Sequence, residues 1–126
     1  MSKKKRSRTS KQLNGVNRHH LIFQGRHYNS GYAKMLRERF VRPLDIKIHN
    51  ELHNAVLHDV PRPSDAQIKV MWLDYQANHE AIDQMDIVDA CEWLMQEGRD
   101  QAWTACMARQ WQYLKTKLKP DKIITN

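Results

Sequence analysis

Asn17-Arg18-His19-His20-Leu21-Ile22 and Ile48-His49-Asn50-Glu51-Leu52-His53 are the two stretches on which the reading of this chain turns. Six of the seven histidines fall between His19 and His58, and four of these form an adjacent pair, His19-His20, and a spaced pair, His49 and His53. Residues four apart lie on one face of a helix, so His49 and His53 can present both imidazoles to one divalent ion. Neighbours in extended chain point to opposite faces, so one member of His19-His20 can complete the ligand set while the other faces a substrate. Imidazole is the commonest protein metal ligand and titrates near neutral pH, which makes the cluster a candidate for metal-assisted acid–base chemistry.

The surrounding residues predict how these units are carried. Leu21-Ile22-Phe23 reads as a short buried strand, followed by a turn-rich connection at Gly25, Asn29, Ser30 and Gly31 and a short helix over Tyr32 to Arg39. Val41 to Ile48 reads as a second strand, because Pro43 opposes helix and Leu44, Ile46 and Ile48 alternate with Asp45 and Lys47. Asn50 to Leu57 then reads as a helix stopped by Pro61-Arg62-Pro63.

The rest of the chain is helical in pattern. Ser64-Asp65-Ala66-Gln67 is a capping box that opens a helix running to about Ala77, with Ile68, Met71, Trp72 and Tyr75 on one face. Ile82, Met85, Val88, Cys91 and Met95 form a second stripe ended by Gly98. Trp103, Met107, Gln110 or Trp111, Leu114 and Leu118 form a third, ended by Pro120. Such stripes are read as core. Cys91 and Cys106 sit among apolar neighbours and read as buried free thiols. His27, His58 and His79 read as surface or structural histidines.

The chain has 126 residues, 40% of them hydrophobic, and a formal net charge of +7. That length suits one domain, and no apolar run approaches the roughly 20 residues that cross a bilayer. No apolar segment follows Met1 to Gln12, so the basic start does not read as a secretory signal and a cytoplasmic protein is expected. The charge is uneven. Lys3, Lys4, Lys5, Arg6, Arg8 and Lys11 occupy residues 1–11 without an acid, whereas residues 64–126 carry seven basic and ten acidic residues. The basic end attracts polyanions, nucleic acid above all. No Gly-rich phosphate loop or serine-nucleophile motif occurs, which removes the P-loop and hydrolase readings.

Taken in order, Asn17-Arg18-His19-His20-Leu21-Ile22, a variable stretch, and Ile48-His49-Asn50-Glu51-Leu52-His53 resemble the HNH, or ββα-metal (His-Me finger), endonucleases, in particular their His-rich, colicin-like branch. The match spans residues 17–58. It implies an N-terminal two-strand hairpin plus helix, and with the helical stripes that follow, an α+β, mostly helical fold in which this unit packs on a C-terminal three-helix bundle. Residues 1–15 would be a flexible basic arm and 16–126 a single domain, with 16–60 as the ββα core and 64–120 as helical support. The resemblance makes His20 the general base and His19, His49 and His53 the ligands of one divalent ion: magnesium, manganese, nickel or zinc. Arg18 and Arg26 would help clamp a phosphate, and the arm residues Lys3 to Lys11 would tether nucleic acid, DNA before RNA. Asp45 and Glu51 are further possible ligands, with Asp45 expected to face solvent. The family's central Asn, which orients the base, has no counterpart shortly before His49, and structural Cys pairs are absent. The expected function is therefore a small metal-dependent nuclease, with a non-catalytic DNA- or RNA-binding protein on a degenerate core as the alternative. A third reading is a protein-interaction adaptor using the acidic helices.

Overall fold

The computed structural model describes residues 15–22, 31–57 and 63–119. The arm residues Lys3, Lys4, Lys5, Arg6, Arg8 and Lys11, the turn residues Gly25, Asn29 and Ser30, and also Phe23, Arg26, His27, His58, Pro61, Arg62 and Pro120 lie outside the described residues. Among those described, the fold is α+β and mostly helical, with one two-stranded sheet and six helices.

Strand β1 is Val16–His20 and pairs antiparallel with β2, Val41–Asp45; His19 lies opposite Arg42 and His20 opposite Val41. The pairing begins at Gly15, whose positive φ of 73° turns the chain into the strand and whose carbonyl accepts from Ile46 N at 3.0 Å. β1 therefore starts earlier than the apolar run suggested. Leu21 and Ile22 follow the strand as fully buried core residues, because the histidine-bearing segment itself forms the ladder. Helix α1, Gly31–Arg39, lies between the strands in sequence and buries Ala33 and Leu36.

The second strand is shorter than its alternation predicted. Asp45 ends it by accepting from Lys47 N at 3.0 Å and Ile48 N at 3.2 Å, so Ile46 and Ile48 belong to helix α2, Ile46–Glu51. A capping carboxylate satisfies two of the orphan N–H groups of a helix start, and this local bond outweighs the period-two pattern. Asp45 is thus the last residue of β2, exposed as expected, and at the same time the cap of α2. α2 continues directly into a π-helical segment, Leu52–Val56, closed by Leu57 N donating to Leu52 O.

Four further helices follow among the described residues: α3 (Asp65–Ala77), α4 (His79–Asp83), α5 (Ile87–Leu94) and α6 (Gln101–Leu118). Ser64 caps α3 through Gln67 N, as the capping box predicted. The expected stripe from Ile82 to Met95 is divided, since Asp86 caps a new helix by accepting from Asp89 N. The support is consequently four helices and not a three-helix bundle. α1 packs on α3, α5 on α6 and on β2, and the π-helical segment on α6. Phe40, at the start of the β2 side, stacks on Trp93 at 5.4 Å and meets Tyr75 edge-on at 6.0 Å. Arg42 of β2 donates to Met85 O and Ile82 O, capping the open end of α4 and fastening the hairpin to the helices. Cys91 and Cys106 are free and buried, as expected. No described helix is long and apolar enough to cross a membrane.

Candidate metal centre

The strand's pleat sorts the first histidine pair. Along β1 the burial alternates, with His19 fully buried, His20 half-buried and Arg18 exposed. Asn17 and His19 share the face toward α2 and the helical support, while Arg18 and His20 share the other.

His19 meets His49 of α2 and His53 of the π-helical segment. The ring centroids are 5.1 Å apart for His19 and His49, 5.3 Å for His19 and His53, and 4.6 Å for His49 and His53, with interplanar angles of 70–81°. One ring nitrogen from each falls within 4.8 Å of the other two. Edge-on rings converging on one point are the arrangement of a three-imidazole site, and stacking by itself requires no such convergence. The widened turn begins between the two helical histidines, so His53 is presented from an i→i+5 segment, a feature common at functional sites.

Electrostatics keep these rings neutral. Burial lowers the His19 pKa from 6.5 to about 4, opposed by its hydrogen bond to Gln110 and reinforced by the neighbouring histidines. Burial also lowers His49, with His53 and His20 adding to the effect, and burial lowers His53. Neutral imidazoles are the metal-binding form, so the cluster is held ready for a cation and not for protons.

Two amides reach the trio from outside the histidine motifs. Gln110 Oε1 of α6 lies 2.6 Å from His19 Nε2, and both residues are fully buried. Asn17 Nδ2 lies 3.0 Å from His49 Nδ1; rotated by half a turn, the same amide accepts Nδ1–H and bares Nε2 for an ion. His19 Nδ1 is buried and has no hydrogen-bond partner. An unpaired buried acceptor is costly in a folded protein, and a cation is one group that satisfies it. The residues therefore fit a divalent ion.

Across the strand, His20 lies in a charged setting. Burial lowers its pKa, Glu38 opposes that change, and Arg18 and Arg37 reinforce it. Its charge also affects His19 and His49, so it stands within electrostatic reach of the trio. Arg18, two residues earlier on the same face of β1, is one of the charged neighbours of His20. Arg37 was not foreseen, because it belongs to α1 and nothing in its local pattern distinguishes it from Arg39.

The other possible ligands are engaged elsewhere. Asp45 caps α2, and Glu51 accepts from the Tyr113 hydroxyl and pairs with Lys117 at 3.5 Å, which lowers its pKa. Tyr113 and Lys117 stand on α6, so this contact ties the helix bearing His49 to the support. His79 is exposed, as expected, and lines a shallow surface cleft with Arg39, Trp72, Tyr75 and Asp83. Among the described residues, His19, His49 and His53 are the group that can hold a metal ion. No family model, curated protein or solved structure matches this chain.

Proposed function

We propose that the protein is a small HNH-like, metal-dependent nuclease that hydrolyses phosphodiester bonds. The observation that carries this reading is the division of the adjacent pair: His19 joins His49 and His53, while His20, one residue on, stands half-buried beside Arg18 and Arg37. A divalent ion held by His19, His49 and His53 supplies charge compensation to a scissile phosphate. His20 is the general base. Its lowered pKa keeps it neutral at pH 7, so it can accept a proton from the water that attacks phosphorus as the leaving oxygen departs. Arg18 and Arg37, whose charges reach His20, would supply two guanidinium groups to the phosphate oxygens. Arg26 and the six basic residues of the arm extend the contact along a nucleic-acid backbone, DNA before RNA.

A second reading is favoured by one contact. The amide that the fold brings to the centre from β1 is engaged with His49, a ligand, whereas the family's central Asn serves the base. A centre arranged in this way can also act as a metal-stabilised scaffold for binding DNA or RNA.

Cleavage of plasmid DNA and single-stranded RNA, with magnesium, manganese, nickel or zinc against chelator, separates the two. The nuclease reading expects metal-dependent cleavage that His20→Ala abolishes while zinc is still bound. Salt-sensitive nucleic-acid binding without cleavage under any of the four ions selects the scaffold.

A further inference from the structure

We propose that Gln110, on the C-terminal helix, is a positioning residue that holds His19 in its Nε2–H tautomer and so assigns Nδ1 as the atom presented to the metal. The inference rests on the metal centre described above, and it extends that centre beyond the two histidine stretches to a residue of the helical support.

The amide orientation follows from two contacts. Gln110 Nε2 lies 3.6 Å from Met107 Sδ, and a thioether offers only an acceptor, so the NH₂ group belongs on that side. Oε1 then faces His19 at 2.6 Å. A carbonyl oxygen can only accept, so His19 Nε2 must carry the hydrogen. The second ring nitrogen, Nδ1, is left with a lone pair, and it is the buried atom for which no partner exists. The His49 and His53 rings stand beside this ring. Because His19 and Gln110 are both fully buried, water cannot replace either partner without opening the core.

Placement on α6 supports the same conclusion. Trp103, Met107 and Leu114 share the buried face of that helix with Gln110. A glutamine on an apolar stripe loses its hydration on folding and is retained where a specific acceptor or donor is required. A metal-bound histidine whose other ring nitrogen is held by a carbonyl is a recurrent arrangement, and loss of such a partner weakens metal binding about 10- to 100-fold.

The test uses the full chain. Long-range ¹H–¹⁵N spectra of the metal-free protein near pH 7.5 should show His19 with Nε2 protonated and Nδ1 bare. In zinc competition titrations, Gln110→Leu should bind about 10- to 100-fold more weakly than wild type. Gln110→Glu keeps an acceptor at the same point and should bind at least as tightly as wild type. An Nδ1–H tautomer in the wild type overturns the inference, as does undiminished zinc affinity in Gln110→Leu. A wild-type chain without zinc affinity overturns the metal centre itself, an outcome distinct from either.

Discussion

The two faces of β1 place adjacent histidines in two different settings. On the inner face His19 is fully buried, its pKa is lowered to about 4, and it touches His49, His53 and Gln110. On the outer face, one residue later, His20 is half-buried; burial lowers its pKa first, and charged neighbours from α1 and β1 adjust it. The same side chain is a buried, uncharged candidate ligand on one side and, in the proposed reaction, a half-buried base on the other. The pleat alone separates them, since consecutive strand residues cannot face the same way.

The sharpest way to break this comparison is to remove each histidine in turn. His20→Ala should lower the cleavage rate about a thousandfold, within the range that a general base contributes, and leave zinc affinity within about twofold of wild type. His53→Ala should show the opposite bias, with zinc affinity falling about a hundredfold in the same titration and cleavage failing for lack of metal. If the two variants behave alike, the faces do not divide the labour.

Acidity provides a second contrast. The His19 pKa is depressed on folding, so the unfolded chain takes up a proton that the folded chain excludes. The contribution to stability is complete above pH 6.5, declines as pH falls toward about 4, and is flat below that. The loss for this group is about 3 kcal/mol at roughly 1.4 kcal/mol per pH unit. Denaturant melts of metal-free protein across this window should show it, and replacing His19 with Gln should flatten the curve.

The smallest expected effects come from the charged neighbours of His20. Arg37→Ala removes a charge that lowers the His20 pKa, so the acid limb of the pH–rate profile should move to higher pH. Glu38→Gln removes the opposing charge and should move it to lower pH. The displacement is read from the position of the limb, because Arg37→Ala also removes a proposed phosphate partner and lowers the rate at every pH. Equal and unshifted profiles would place His20 outside the reaction.

The sequence made much of this centre legible. The four histidines, their order and the opposite directions of His19 and His20 follow from spacing alone, and the caps at Ser64 and the stripes of α3 and α6 were equally readable. The α2 start was misread because Ile46 and Ile48 also alternate as a strand would; the capping bonds of Asp45 decided the matter. The break between α4 and α5 was missed for the same reason, with Asp86 as the cap. Gln110 was visible on its stripe as an alternative to Trp111, but a polar residue among apolar ones does not reveal its partner.

By itself, then, the sequence determined which histidines are candidates for the site and on which face of a strand or helix each stands, because both periods are local properties of the backbone. Only the tertiary structure decided what completes them. Gln110 reaches His19 across 91 positions of chain, Asn17 reaches His49 across 32, and Arg37 is brought to His20 by a helix inserted between two paired strands. Those meetings depend on how α1 and α6 pack against the hairpin, and packing between distant segments has no period to read.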